Sequence, residues 1–159
     1  KLSARRGLGE LSIGLLFGPV LTMGTDFALT GIHSWSSFLI GIPVGLLTTA
    51  ILWLNQFPDT PSDIATGKVH LVATLGTRNA RWGYIALMVG SFTAIISLYA
   101  FNVTGKGVLL GLLAIPGAAY LSYKVFQDFD KRTLAKTCAN TIYFQMVTGI
   151  LIFLGILFI

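Results

Sequence analysis

Five long apolar stretches dominate this chain, at roughly residues 11–31, 38–57, 82–103, 108–126 and 142–159. Each approaches the ~20 residues that a helix needs to cross ~30 Å of hydrocarbon. A helix satisfies its own backbone hydrogen bonds, which lipid cannot do. Mean hydropathy is +0.78 and only 11% of residues are charged, against about 25% in a soluble domain. Five spans and short connections use nearly all of the 159 residues, so no soluble domain fits beside them. The expected fold class is an all-α membrane protein, with one transmembrane domain over residues 1–159.

The net charge of +5 reads as topology, not as a nucleic-acid surface. Lys1, Arg5 and Arg6 precede the first span, and Lys68, Arg78 and Arg81 lie between the second and third. Lys124, Lys131, Arg132 and Lys136 flank the gap between the fourth and fifth, and Lys106 alone falls on the other side. Basic residues accumulate on the cytoplasmic side of a membrane, so the loop after the second span is expected there. Pro19, Pro43 and Pro116 fall inside spans and are expected to kink them. Trp35, Trp53, Trp82 and Tyr84 fall near span ends, where amphipathic rings prefer the interface. Cys138 is the single cysteine, so no disulfide can form within the chain.

One polar stretch interrupts this pattern. Asn55, Asp59 and Asp63 follow one another at four-residue intervals, and Gly67-Lys68 comes next. Four residues are about one helical turn, so Asn55 and Asp59 project the same way from the end of the second span. Pro58 and Pro61 imply that the helix ends or bends there, with Asp63 reached through the bend. Mg²⁺ takes oxygen ligands, commonly one or two carboxylates plus substrate phosphates. Asn55, Asp59 and Asp63 are therefore candidate metal ligands, Asp59 and Asp63 candidate catalytic residues, and Lys68, Arg78 and Arg81 candidate diphosphate ligands. The plainer alternative is a solvated loop in which Asp59 or Asp63 starts a short helix.

The run Asn55-x-x-x-Asp59-x-x-x-Asp63-x-x-x-Gly67-Lys68-x-x-Leu71-Val72-x-x-Leu75-Gly76 resembles the second aspartate-rich motif of the UbiA superfamily of intramembrane prenyltransferases. Arg6-Gly7-Leu8-Gly9-Glu10, Gly14-Leu15-Leu16-Phe17-Gly18-Pro19-Val20, Met23-Gly24-Thr25 and Asn79-Ala80-Arg81 are similar to the branch that prenylates 1,4-dihydroxy-2-naphthoate on the way to menaquinone. Pro58 stands where relatives often carry a basic residue, and Gln56 where they often carry Asn.

The resemblance implies nine helices around a central cavity, of which this chain would supply the fifth to the ninth. It implies two aspartate-rich motifs that hold Mg²⁺ and a prenyl diphosphate. The diphosphate ionises to an allylic cation, which an aromatic acceptor attacks; the naphthoate acceptor also loses its carboxylate. The first motif is found nowhere in the 159 residues. An upstream half or a partner membrane chain is therefore expected to supply it, and the chain by itself is expected to be inactive. That the sequence begins at Lys1 fits the same expectation. The implied setting is a prokaryotic cytoplasmic membrane, with membrane lipid as surroundings. A non-catalytic membrane subunit that binds quinone or pigment is the competing class, and a chlorin, haem or phenolic acceptor is the variant within the enzyme class.

Other polar residues carry less. Glu10 starts the first span, where it can cap the helix or face the acceptor. Asp26 is an ionisable residue inside a span, a functional hypothesis by default, and His33 or the interface is its expected partner. Asp128 and Asp130 sit among Lys124, Lys131 and Arg132 and read as a salt-bridged loop. His33 and His70 lie on opposite sides, so no histidine metal site is expected. Asn140, Tyr143 and Gln145 can face a cavity or bond between helices.

Overall fold

A computed structural model describes residues 7–158, so Lys1, Arg5, Arg6 and Ile159 lie outside the described residues. Among the described residues five helical spans are long and apolar enough to cross a membrane, and no strand occurs. The first span joins α1 (Leu8–Leu15) to α2 (Leu21–Thr30) through a π-helical turn, Leu16–Val20. That turn contains Pro19, which has no N–H for the helical ladder and would crowd the carbonyl four residues back. The wider turn absorbs the misfit.

The second span is α3, Trp35–Ala65. At 1.5 Å per residue its 31 residues reach about 46 Å, well beyond the hydrocarbon core. Its C-terminal third carries Asn55, Asp59 and Asp63. Of the two outcomes expected at Pro58 and Pro61, an end or a bend, the end does not occur, because the helix runs through both to Ala65. A proline frees the carbonyl four residues earlier, which for Pro58 is that of Leu54. The buried Cys138 thiol donates to this carbonyl at 3.8 Å, and a neighbouring helix restores what the proline removed.

After α3 the chain forms a short helix, α4 (Leu71–Leu75), then the third span, α5 (Thr77–Ala100). The fourth span begins as a 3₁₀ helix, Lys106–Ala114, and becomes α6 at Ile115–Asp128. Pro116 lies in the first turn of α6, where its missing N–H costs little, so the winding changes there. The fifth span is α7, Leu134–Phe158, and starts about two turns before its apolar stretch.

Two features lock the helices together. Gly14 of α1 and Gly18 of the π-helical turn face Gly41 and Gly45 of α3, and a Cβ on Gly18 would lie 2.5 Å from both Gly41 O and Gly45 Cα. Paired small residues four apart let helix backbones touch. Polar side chains then bridge helices: Trp53 Nε1 donates to Ala80 O at 2.7 Å, Tyr84 Oη shares a hydrogen bond with Thr141 Oγ1 at 3.0 Å, and Gln145 Nε2 donates to Thr48 Oγ1 at 2.8 Å. Trp53 and Tyr84 are thus buried packing residues, a correction to their expected interfacial place; Trp35 and Trp82 are exposed. Asp26 accepts from Ser37 Oγ at 2.5 Å, while His33, one of the two partners expected for it, stacks on Phe27 with centroids 4.2 Å apart. Lys131 pairs with Asp128 at 3.1 Å, as a salt-bridged loop requires.

Candidate functional site

The end of the bundle that holds the α1 start also holds the α3 end and α4. Its polar residues are delivered by identifiable backbone devices. Asn55, Asp59 and Asp63 lie on successive turns of α3, and Asp63 belongs to the same helix as the other two. The helix closes at Thr66. Gly67, at φ 74°, turns the chain left-handed, a conformation that a Cβ makes costly. Gly67 N then bonds Ile64 O at 3.0 Å and Lys68 N bonds Asp63 O at 2.9 Å, the paired closure of a Schellman cap. This turn folds Lys68 back over α3, so that its Nζ lies 3.0 Å from Asp63 Oδ2.

His70 follows and caps α4. Its Nδ1 accepts the Ala73 N–H at 3.1 Å, and its Nε2 lies 3.3 Å from Asp63 Oδ2. The ring is only 1% exposed. Glu10 serves the same helix start from α1. Its Oε1 accepts from Leu71 N at 3.2 Å and from Gln56 Nε2 at 2.9 Å, and the residue is 5% exposed. Glu10 therefore bridges α1, α3 and α4 rather than capping its own helix. It also lines an apolar groove of about 440 Å³ with Leu11, Leu15, Leu46, Trp53 and Leu87.

Asn55, Asp59, Asp63 and Lys68 line one cavity of about 170 Å³, closed on the α1 side by Gly9 and Ile13. Arg78 and Arg81 are not among its walls. Arg78 is exposed on the first turn of α5. The Arg81 guanidinium lies over Phe126 and Phe129, 4.3 and 5.0 Å from the ring centroids, an ordinary cation–π packing.

Among the described residues no three histidine, cysteine or carboxylate side chains form a metal cluster. Mg²⁺ does not require one, since it keeps several positions for water and phosphate oxygens. The donors that share the cavity, two carboxylates and one amide, are oxygen ligands of that kind, so the residues present fit Mg²⁺. Sequence reasoning weighed His70 only as a metal ligand and not as a neighbour of Asp63. The signal was its place two residues after Gly67-Lys68, where a chain turned back by the glycine stays beside Asp63.

An all-helical integral membrane protein with an acidic, lysine-edged cavity at one end of its bundle is the class these features define. The sequence pattern of the UbiA prenyltransferase family matches residues 2–157, and the chain belongs to that family. It is 30% identical to the 1,4-dihydroxy-2-naphthoate octaprenyltransferase of Escherichia coli (strain K12), over 94% of this chain and 49% of the relative. It is 28% identical to UbiA prenyltransferase domain-containing protein 1 of Dictyostelium discoideum, over 80% of this chain and 39% of the relative. It is 27% identical to the 2-carboxy-1,4-naphthoquinone phytyltransferase of a Synechocystis strain, over 83% and 43% respectively. The chain thus spans about half the length, or less, of these relatives. No solved structure matches it significantly.

Proposed function

We propose that this chain forms part of a Mg²⁺-dependent prenyltransferase that moves a polyprenyl group from a prenyl diphosphate to an aromatic acceptor, 1,4-dihydroxy-2-naphthoate. The observation that carries the proposal is the shared cavity of Asn55, Asp59, Asp63 and Lys68 in a member of this family. Relatives named for naphthoate and naphthoquinone substrates support the acceptor.

In this reading Asn55, Asp59 and Asp63 hold Mg²⁺, and Lys68 meets the diphosphate as a point charge. When bound, Mg²⁺ supplies positive charge against the diphosphate oxygens as they gain charge. The C1–O bond of the prenyl diphosphate breaks and diphosphate leaves with the electron pair. The acceptor ring forms the new C–C bond at C1 and loses its carboxylate as CO₂. Lys68 exchanges Asp63 for phosphate oxygens when substrate arrives, and α1 shields the cavity through Gly9 and Ile13. Glu10 stands on the acceptor side.

A diphosphate carries about three negative charges, and stabilising departing charge is usually the largest catalytic effect. One lysine and one partial acidic set leave part of that charge unmet. The other aspartate-rich motif is therefore assigned to a segment or partner chain outside these 159 residues. The α1 start, the α3 end, the starts of α5 and α7 and the α6 end share one end of the bundle, and the basic residues between spans support a cytoplasmic position for that end.

The test is turnover by the full-length protein with Mg²⁺, a prenyl diphosphate and dihydroxynaphthoate, reading prenylated product. Asp59→Asn and Asp63→Asn are each expected to abolish it. Unchanged turnover in both would remove the reading.

A further inference from the structure

We infer that His70 is a positioning residue for Asp63: a buried imidazole, fixed at one nitrogen by the start of α4, holds the Asp63 carboxylate in one orientation toward the cavity. The inference rests on the metal–diphosphate reading of that cavity. Nδ1 accepts the Ala73 N–H at 3.1 Å. An accepting Nδ1 puts the proton of the neutral ring on Nε2, and Nε2 lies 3.3 Å from Asp63 Oδ2. Among the described residues that nitrogen is buried and makes no aligned hydrogen bond. Buried N–H groups rarely go without an acceptor, and Asp63 Oδ2, at 3.3 Å, is the acceptor that the fold sets beside this one.

Two comparisons separate this role from plain capping. Asn, Asp and Ser are the favoured capping residues, and each would cap α4 without placing a second nitrogen beside Asp63. Lys68 also touches Asp63 Oδ2 but is 43% exposed. A flexible ammonium that meets phosphate cannot also hold the carboxylate still. The imidazole can, because packing fixes its ring and α4 fixes its tautomer. Partners of this kind orient metal ligands, and losing one commonly costs 10–100-fold in metal affinity.

The experiment is a pair of substitutions in the full-length protein. His70→Asn retains an acceptor where Nδ1 lies and removes the reach to Asp63. His70→Gln places an amide donor where Nε2 lies and removes the cap. Binding of Mn²⁺ alone, read from the loss of its free EPR signal, is measured beside thermal unfolding in the same detergent. His70→Asn is expected to lose about 10–100-fold in Mn²⁺ affinity with unfolding near wild type. His70→Gln is expected to keep the affinity within about threefold and to unfold earlier. Either variant decides the matter alone if the other does not accumulate. Wild-type affinity in folded His70→Asn, or lost affinity in folded His70→Gln, overturns the inference. Asp63→Asn separates the two levels. If it loses Mn²⁺ while His70→Asn keeps it, only the positioning role fails. If it binds as wild type does, the metal reading fails and takes the positioning role with it.

Discussion

Lys68 meets Asp63 at 3.0 Å because one glycine reverses the chain between them. Gly67 sits at φ 74° with open space where a Cβ would go. Gly67→Ala would thus meet no steric neighbour, and its whole cost is backbone strain, about 1–2 kcal/mol. The strain is relieved by opening the Schellman turn, which swings Lys68 away from the cavity. Gly67→Ala is expected to raise the KM for prenyl diphosphate severalfold while unfolding shifts by only a few degrees. Steady-state kinetics set beside a thermal melt check this, and an unchanged KM would show that the turn does not place the lysine.

Lys68 itself separates binding from stability. Its side chain is 43% exposed, and exposed ion pairs contribute about 0–1 kcal/mol. Lys68→Met should therefore leave the unfolding temperature almost unchanged. The same substitution removes a cation from the proposed diphosphate site, where charge-assisted bonds contribute about 1.5–3 kcal/mol. A rise of about ten- to hundredfold in the KM for prenyl diphosphate is expected. Equal losses in stability and KM would reassign Lys68 to the fold.

The spans were legible because their apolar runs are long and almost uninterrupted, and the shared face of Asn55, Asp59 and Asp63 was legible because four residues make about one turn on any helix. The proline rule allowed an end at Pro58 and Pro61 that does not occur. It treats a helix in isolation, whereas Cys138, 84 residues from Leu54 in sequence, repairs the ladder from α7. Trp53 and Tyr84 misled for a related reason. Each lies near a span end in sequence, yet a neighbouring helix covers it, and Ala80 O and Thr141 supply the polar partners that interfacial water would have given. Arg81 carried the right charge in the right loop. Its direction depends on Phe126 and Phe129 at the far end of α6, which no local pattern reveals. Glu10 reaches Leu71 across 61 positions, and nothing in the sequence marks that contact.

Glu10 offers a graded test of this bridge. Its Oε1 accepts from Gln56 Nε2 and Leu71 N in a setting only 5% exposed. Glu10→Ala leaves both donors without their acceptor, at about 1–3 kcal/mol each. Glu10→Gln keeps one carbonyl oxygen at the same reach and is expected to cost less than half as much. Thermal unfolding of the two variants should rank wild type, Gln, then Ala. An Ala variant as stable as wild type would mean that α4 is held without the bridge.

The α1–α3 contact makes a sharper forecast, because two glycines of one span should respond in opposite ways. A Cβ on Gly18 would sit 2.5 Å from Gly41 O and Gly45 Cα. Both are backbone atoms, so neither can rotate aside, and the helices must separate. Separation opens the packing along both glycine pairs, a loss of the kind that costs about 1–3 kcal/mol when a filled interior is overpacked. Gly24 lies in α2, where an added Cβ would have nothing within 4 Å, and alanine there gains up to about 1 kcal/mol of helix propensity. Gly18→Ala is expected to lower the unfolding temperature by several degrees, and Gly24→Ala to leave it unchanged or raise it slightly. The contrast also reaches the site, since α1 carries Glu10 and the Gly9 and Ile13 wall of the cavity. Gly18→Ala should therefore weaken prenyl diphosphate binding and Gly24→Ala should not. Identical melts and KM values for the two variants would show that the first span is held by something other than its glycine contact with α3.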